Sequence, residues 1–441
     1  MRPEEIECLE FTGRDVQPGT GRVRLGWRLI GADSDLSLEE HFDFGDSDVR
    51  MDPHHPAVQA ALDLLHWIAG VSYWKLACRG GVRFAGRRPD RFQAEALERI
   101  YREGLAELAW RNGLEGRYWP EFAADQGDRA PGDAGRFGLG RRALLPMGGG
   151  KDSLVALERV RARGIDFETV QVGSAALIGR VARRAGARHR VIRRALAPEL
   201  AQLNAAGALN GHVPITAINA AALVLAALLW DFDAVVFANE RSADTPTLTT
   251  PDGRPVNHQF AKSFAFEQLL GQWIQRYIAD DLAVFSLLRR ESELGICREF
   301  AGLTAYHDVF SSCNRNFHLE GPRTTRWCGA CPKCRFVFLA LAPFMPVRQM
   351  REIFGRDLLD EPGQLEGFAA LLELDGPRPF ECVGEAVEAR AALSALADDR
   401  QWCGHAVVRR LAPRLAGMRV PAMAEVLEPR GEHRIPPRFR P

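Results

Sequence analysis

The feature that most constrains the fold of this chain is a regular alternation of strand-like and helix-like runs between residues 142 and 238. Each parallel strand needs a crossover to reach the next one, and that crossover is usually a right-handed helical connection. The alternation therefore predicts an α/β domain with a parallel sheet covered on both faces. The predicted strands are 142–146, 167–172, 189–193 and 234–238, and the predicted helices are 152–163, 175–185 and 215–229.

A glycine-rich loop joins the first predicted strand to the first predicted helix. Three glycines let the backbone turn tightly and bring N–H groups close to an anion, and the helix N-terminus adds partial positive charge. Lys151 can neutralise phosphate charge, Asp152 can hold Mg²⁺ and Ser153 can donate a hydroxyl hydrogen bond. The predicted phosphate-binding residues are Gly148, Gly149, Gly150, Lys151, Asp152 and Ser153.

Two familiar phosphate motifs do not fit this loop. A Walker A lysine directly precedes Ser or Thr, whereas Asp152 intervenes here, and three consecutive glycines do not make the dinucleotide fingerprint. The loop instead resembles the PP-loop of ATP pyrophosphatases, usually Ser-Gly-Gly-x-Asp-Ser/Thr, with Gly148 in the place of the serine. This resemblance implies a HUP-like nucleotide-binding domain that cleaves ATP between its α- and β-phosphates. The missing serine implies a variant subfamily or weakened cleavage, and an ordinary glycine-rich turn remains the alternative.

The 441 residues are too many for one ordinary core, and composition suggests where the chain divides. Residues 126–138 have abundant Gly, Asp and Pro without apolar periodicity, so they are predicted to be a linker. We expect a separate α+β N-terminal domain (1–126), a PP-loop catalytic domain with a cysteine cluster (139–344) and a helical C-terminal region (345–441). The Arg- and Pro-rich end, residues 428–441, is expected to be frayed.

Charge and hydropathy limit the partners of the chain. Lys+Arg and Asp+Glu both number 57, so the zero net charge argues against a general nucleic-acid binder. The N-terminus lacks the pattern of a signal peptide, and the most apolar run, 220–230, is shorter than the ~20 residues that span a bilayer. We therefore expect a cytoplasmic protein that binds neither nucleic acid nor membrane.

Four cysteines have the spacing of metal ligands. Cys328, Cys331 and Cys334 lie within seven residues, and Cys313 is a plausible fourth ligand. Disulfides form poorly at this spacing, whereas four thiolates suit tetrahedral structural Zn²⁺. An Fe–S cluster, redox-active thiols or plain buried cysteines are the alternatives. Lys333, inside the motif, is expected to screen thiolate charge.

Lysine is scarce in this chain, and its positions are informative. Only four of the 57 basic residues are lysines, and arginine serves elsewhere. A lysine retained against this bias is a candidate for a role that needs a compact ammonium group with a tunable pKa, although chance is the alternative for any single one. The four are Lys75, Lys151, Lys262 and Lys333.

Three polar segments interrupt the apolar frame. Residues 237–243 follow a predicted strand, at the sheet edge where parallel sheets bind ligands, and we predict that Asn239, Glu240 and Arg241 contact the nucleotide. Residues 210–219 contain His212, and residues 256–267 contain His258, Lys262 and Glu267, which we expect to share one helical face. His258, Lys262 and His212, together with Asp152, are the candidate catalytic residues. A lone histidine is more often structural, and no pair of bases is evident.

The arginines between residues 180 and 194 form a basic run that normally marks a solvated surface. The alternative is a site for a diphosphate or an RNA backbone.

The order of the motifs 147–153, 213–219, 237–242, 257–267 and 327–334 resembles the UDP-N-acetylmuramoyl-L-alanyl-L-glutamate epimerases of peptidoglycan synthesis. This resemblance implies ATP- and Mg²⁺-dependent inversion of the terminal L-glutamate to D-glutamate, with release of AMP and pyrophosphate. It also implies a UDP-muramoyl dipeptide substrate and pathway coupling to the ligase that adds L-glutamate.

Two rival functions remain at this point. The PP-loop and cysteine cluster also resemble deazaguanine nitrile synthases and tRNA thiolases, although the neutral charge and the N-terminal domain argue against them. A nucleotide-binding regulator without catalysis is the second rival, suggested by Gly148. The presence of Lys151, Asp152 and Ser153 argues against it.

Overall fold

The computed structural model describes residues 1–17, 19–45, 52–130, 132–317 and 326–440. Pro131 of the predicted linker and Pro441 of the C-terminal end lie outside these residues. The strands are β1 Ile6–Gln17, β2 Arg22–Gly31, β3 Asp35–Asp43, β4 Gly81–Phe84, β5 Ala143–Pro146, β6 Phe167–Val172, β7 His189–Ala195, β8 Ala234–Phe237, β9 Leu248–Thr249, β10 Pro255–Val256 and β11 Ala283–Ser286. The helices are α1 Pro56–Ala69, α2 Val71–Trp74, α3 Arg91–Gly104, α4 Ala106–Arg111, α5 Lys151–Ala162, α6 Ala176–Ala185, α7 Glu199–Ala205, α8 Ile215–Trp230, α9 Phe264–Tyr277, α10 Glu293–Ala301, α11 Pro332–Leu341, α12 Val347–Phe354, α13 Leu365–Leu371, α14 Ala386–Asp398, α15 Ala406–Leu411 and α16 Met423–Leu427.

The second half of the sheet is parallel, which confirms the prediction from the strand–helix alternation. Its strands run in the order β11-β8-β5-β6-β7, and all four adjacent pairs are parallel. The central strand β5 is apolar and almost wholly buried because helices cover both faces of the sheet. The carboxyl ends of β5 and β8 therefore lie side by side at one edge, next to the start of α5.

The same sheet continues into the N-terminal part of the chain. β7 pairs antiparallel with β3, where Phe42 lies opposite Arg194, and β2 and β1 follow in antiparallel order. The edge strand β4 pairs parallel with β1. Helix α1 packs on α8, most of whose residues are buried, so the N-terminal and parallel halves share one hydrophobic core. The domain boundaries predicted above remain a prediction.

The C-terminal part is helical, as the sequence predicted, and forms a second core with α5 and α10. The expectation of a frayed end is wrong for residues 428–440. Phe439 is fully buried and its ring centroid lies 4.9 Å from that of Phe285 on β11. Arg438 donates to Asp233 over 2.6 Å. The end therefore covers the edge strand of the sheet.

No helix within the described ranges combines the length and the apolar character needed to cross a membrane.

Candidate functional site

The predicted phosphate loop lies between β5 and α5, at the carboxyl edge of the sheet. Gly149 has φ of +78°, which favours glycine, and a β-carbon on Gly150 would lie 2.5 Å from the hydroxyl of Ser312. A β-carbon on Gly148 would meet no atom within 4 Å, so a side chain has room there. The Ser311 N–H donates to the Gly149 carbonyl over 3.0 Å, which ties the loop to the segment that carries Cys313.

Lys151 is the most deeply buried charged group of this loop. Its side chain is 1% exposed, and its ammonium group donates to the carboxylates of Glu293 and Asp152. Burial opposes the charged form, but the two carboxylates outweigh it and raise the pKa of Lys151 well above its ordinary value. Lys151 therefore balances carboxylate charge in this structure, and its contact with phosphate stays a prediction. The Ser153 hydroxyl donates to the Gly150 carbonyl over 3.1 Å.

Three of the four lysines of the chain act on one carboxylate, Asp152. Burial would raise the pKa of Asp152, but the ammonium groups of Lys151, Lys333 and Lys262 together hold it below its ordinary value. The Asp152 side chain keeps 28% of its exposure, so an anionic ligand atom remains accessible at the first turn of α5. We call Asp152 and these three lysines the ammonium cluster.

Two buried carboxyl groups, that of Glu240 after β8 and that of Glu388 on α14, have raised pKa values. Burial and the negative charge of Glu293 raise the pKa of Glu240 to about 7. Burial, with Glu240 and Glu293 nearby, raises the pKa of Glu388 well above its ordinary value. Glu240 accepts from the hydroxyl of Ser242 over 2.7 Å. The site can therefore hold carboxyl protons at neutral pH beside the ionised Asp152.

The other two residues predicted to contact nucleotide have internal partners. The Arg241 guanidinium donates to the carbonyl groups of Val426 and Glu428, each over 2.8 Å, and so holds the C-terminal segment. The Asn239 carbonyl accepts from the hydroxyl of Ser286 over 2.5 Å. Their predicted role at the nucleotide stays a prediction.

His212, His258 and Lys262 lie together, but His258, Lys262 and Glu267 do not share one helical face, so that expectation is wrong. Residues 260–262 form a 3-10 turn, and Ser263 caps α9 by accepting from the Phe266 N–H. Glu267 lies on that later helix and pairs with Arg289 over 2.9 Å. The rings of His212 and His258 are 6.1 Å apart.

Both histidines are neutral at pH 7. Burial lowers the pKa of His258 to about 4, with a further contribution from Lys262. Burial lowers the pKa of His212 to about 4 as well, helped by His258 and Lys262. The Nδ1 atom of His258 lies 2.7 Å from the hydroxyl of Thr247, whereas its Nε2 atom has no hydrogen-bond partner among the described residues.

Cys382 is a residue of this site that the sequence analysis missed. Its Sγ accepts from the Lys262 ammonium group over 3.1 Å, and its carbonyl accepts from that of Lys333. Burial opposes ionisation, but the two ammonium groups outweigh it and lower the pKa of the thiol. A single cysteine between prolines and glycines has no periodic signal. The one feature of the sequence that sets Cys382 apart is its position outside the motif of the predicted metal ligands.

The predicted metal ligands Cys313, Cys328, Cys331 and Cys334 form one cluster, with their sulfur atoms all within 4.8 Å of one another. The Sγ atom of Cys334 lies 3.5 Å from that of Cys331 and 3.7 Å from that of Cys328. Tetrahedral zinc with Zn–S bonds of about 2.3 Å needs sulfur atoms about 3.8 Å apart, so the cluster can hold a zinc ion. The N–H groups of Ala330 and Cys331 both donate to the Cys328 sulfur over 3.4 Å.

The basic run is largely paired with acidic side chains. Arg194 pairs with the buried Glu40, and Arg190 with Glu168. Arg184 makes two hydrogen bonds with Asp308. These ion pairs join β7 and α6 to their neighbours. The predicted solvated surface holds for Arg184 but not for Arg190 and Arg194, whose side chains are largely buried.

Comparisons with known proteins cover almost the whole chain. The family model described as the MurL N-terminal domain matches residues 1–287, and that of the MurL C-terminal domain matches residues 309–425. A protein of Xanthomonas oryzae pv. oryzae is 48% identical over 388 residues, which are 86% of this chain and 85% of that protein. Proteins of Salinispora tropica and a Micromonospora species are 40% and 39% identical, each over 98% of this chain and over 95% and 97% of their own length. All three relatives bear the name UDP-N-acetyl-alpha-D-muramoyl-L-alanyl-L-glutamate epimerase.

Proposed function

This chain belongs to the MurL epimerase family, and from that premise we propose that it inverts the terminal L-glutamate of UDP-N-acetylmuramoyl-L-alanyl-L-glutamate to D-glutamate in peptidoglycan synthesis. The reaction runs through an acyl-adenylate formed from ATP, with release of AMP and pyrophosphate. The single observation that carries the proposal is the near-full-length similarity to relatives named for this substrate. Those names favour the epimerase over the rival reactions of nucleobase or tRNA modification.

The phosphate loop supports the use of ATP. The N–H groups of residues 148–150 and the start of α5 suit a pyrophosphate group, and the site adds the positive charges of Lys262 and Lys333. Asp152 is the candidate ligand of Mg²⁺, because it is ionised, partly exposed and at the helix N-terminus. Bound Mg²⁺ would neutralise phosphate charge and so help the pyrophosphate to leave.

Activation as an adenylate explains why an epimerase would spend ATP. Removal of the α-proton from a free carboxylate places two negative charges on one small unit. Adenylation removes the first charge and makes the carbonyl group an acceptor of electrons, so a weak base can remove the proton. Protonation from the opposite face inverts the centre, and hydrolysis of the adenylate releases the product.

We propose that the four cysteines hold a structural zinc ion that positions the site. Cys313 lies two residues after Ser311, which bonds the phosphate loop. Lys333 lies between Cys331 and Cys334 at the start of α11 and extends to the carbonyl of Cys382. The cysteine cluster therefore connects the phosphate loop to the ammonium group of Lys333.

The rest of the substrate needs a place near these groups. A cavity of about 490 Å³ lies beside α4 and the β9–β10 hairpin and is lined by Trp110, Tyr118 and Val256. Helix α4 also carries Glu107, whose carboxylate lies 3.7 Å from the His212 ring. We assign this cavity to the part of the substrate remote from the glutamate. We expect a cytoplasmic setting, where a ligase that adds L-glutamate supplies the substrate.

The test uses D₂O, ATP and the UDP-muramoyl dipeptide, and resolves AMP from ADP. The expected product carries deuterium at the glutamate α-carbon and forms together with AMP. Asp152→Asn should slow AMP formation by about 10³-fold, because it removes the proposed metal ligand. Asp398→Asn, at the exposed end of α14, is the control and should leave the rate unchanged. ADP as the nucleotide product, or product without deuterium, contradicts the proposal.

A further inference from the structure

Cys382 lies between two ammonium groups at the centre of the site. The Lys262 Nζ–Cys382 Sγ distance is 3.1 Å, and Lys333 holds the main chain of the same residue. Lys262 and Lys333 both act on Asp152 of the phosphate loop as well. The thiol is therefore held beside the position where the phosphate loop would present an adenylate.

His258 approaches the same segment from another side. Its ring packs against that of Phe380 at a centroid distance of 6.0 Å, and Phe380 is two residues before Cys382. The His258 side chain is about nine-tenths buried, and its Nε2 atom is without a hydrogen-bond partner in the described part of the chain. A buried ring nitrogen without a partner costs free energy, and a ligand that bonds it would recover that cost.

Lys262 and His212 are less suited to remove a proton. The neighbouring Cys382 thiol raises the pKa of Lys262 more than burial lowers it. Lys262 is therefore an ammonium ion with no lone pair at neutral pH. The Nδ1 atom of His212 lies 3.7 Å from the Glu107 carboxylate.

Glu240 also lies near Lys262, but both of its carboxylate oxygens accept hydrogen bonds from Ser242. Cys382 and His258 are two further acid–base groups that interact with Lys262.

We propose that Cys382 and His258 are the two groups that exchange protons with the glutamate α-carbon, one on each face. This inference rests on the proposed function and assigns its catalytic residues. Lys262 is a positioning residue that stabilises the Cys382 thiolate, and Lys333 fixes the Cys382 main chain. An inversion needs proton transfer on both faces, and the two groups reach the site from different segments.

The proton transfers balance. For one epimer, the neutral His258 imidazole takes the α-proton, and the C–H electron pair moves into the acyl-adenylate carbonyl to give an enolate. The Cys382 thiol then gives its proton to the opposite face of the α-carbon. Imidazolium and thiolate remain, and exchange with solvent restores the starting forms. The other epimer reacts with the imidazolium and thiolate forms. The Cys382 thiolate takes its α-proton, and the His258 imidazolium gives a proton to the opposite face.

Single variants separate the two groups. Cys382→Ala and His258→Asn should each lose inversion by at least about 10²-fold while still forming AMP. Each variant keeps one base, so each should exchange the α-proton of only one epimer with D₂O, with retention, and the two variants should select opposite epimers. Both epimers of the UDP-muramoyl dipeptide are therefore used as starting material. Cys382→Ser preserves size and gives the same pattern, and Cys403→Ala, at an exposed cysteine, is the unchanged control.

The results distinguish this inference from the proposed function. A wild-type protein that forms no AMP overturns the proposed function. Inversion at the wild-type rate in Cys382→Ala, or exchange of both epimers by one variant, overturns only the assignment of the bases. Loss of AMP formation in folded Cys382→Ser places the thiol in ATP binding and overturns the assignment too.

The positioning role of Lys262 has its own readout. The rate of alkylation of Cys382 by iodoacetamide reports the thiolate fraction as the pH changes. Lys262→Met removes the ammonium group, so the midpoint of this profile should move to higher pH. Alkylation is followed by mass spectrometry of the peptide that contains Cys382. An unchanged midpoint contradicts the role.

Discussion

Two buried lysines show how differently this chain treats the same side chain. Lys151 is 1% exposed and faces two carboxylates, which raise its pKa. Lys75 is 5% exposed and donates to neutral oxygens only, among them the Leu209 carbonyl at 2.8 Å and the Asn204 side chain at 3.3 Å. Burial lowers the pKa of Lys75 to about 8. Both lysines are therefore buried to a similar depth, and the charge of their neighbours decides whether the pKa rises or falls.

The comparison indicates what each region is built for. The ammonium cluster pairs opposite charges at the edge of the sheet, where the proposed reaction brings phosphate and carboxylate groups. Around Lys75, a lysine uses its three donors to tie the end of α2 to residues 204–210, ahead of His212. The ammonium cluster holds paired opposite charges at the proposed reaction site, whereas the hydrogen bonds of Lys75 position a loop.

The largest expected effect comes from removal of the ammonium group that has carboxylate neighbours. Lys151→Met leaves the buried Glu293 without its ammonium partner and removes one of the three ammonium groups that act on Asp152, so the free energy of unfolding should fall by about 3–5 kcal/mol. Denaturation by urea measures it. The double variant Lys151→Met/Glu293→Gln should recover part of the loss. Lys75→Met is the matched control, and an equal loss in that variant contradicts the comparison.

The cysteine cluster should also matter for stability, because it holds Lys333 in the ammonium cluster. Cys331→Ser should lower the zinc content from about one ion per chain and lower Tm by roughly 5 to 10 °C. Metal analysis and thermal unfolding measure the two effects. Cys403→Ser should change neither quantity, since Cys403 is exposed and outside the cluster. A stable wild-type protein without metal contradicts the zinc site.

The pH dependence of stability tests Lys75 by itself. Between about pH 8 and 10 the unfolded chain keeps the Lys75 proton that the folded chain has lost, so the stability of the wild type rises with pH in this window. Lys75→Met lacks this effect. The stability of the variant relative to the wild type should therefore fall by about 2 kcal/mol from pH 7.5 to pH 10. A constant difference contradicts the lowered pKa.

The smallest effect is expected at Gly148, where the PP-loop serine is missing. A β-carbon there meets open space, so Gly148→Ser should change stability by less than about 0.5 kcal/mol and lower the KM for ATP by up to about threefold. Gly149→Ala is the matched control. Its φ of +78° makes a side chain unfavourable by about 1 kcal/mol. A large destabilisation by Gly148→Ser contradicts the open position.

The sequence predicted regular elements better than the parts of the site that depend on distant contacts. Strand β6 has the predicted bounds, since residues 167–172 lie between two clear helical patterns. The prediction of a helical face over residues 258–267 was wrong because Ser263 caps a new helix after a 3-10 turn. Periodicity does not reveal such a break. Phe439 is one aromatic residue in a Pro- and Arg-rich end, so its burial was not predicted. Cys382 becomes recognisable only when Lys262 and Lys333 reach it.

The Arg241 contacts have a consequence for how the protein is made. Chains leave the ribosome at about 5–20 residues per second, N-terminal part first. Lys151 precedes Glu293 by 142 residues, so it waits on the order of 7 to 30 seconds for this second carboxylate partner. Arg241 waits longer still, because its acceptors are the carbonyl groups of Val426 and Glu428. The contacts of Arg241 therefore form only after residues 426–428 have been synthesised.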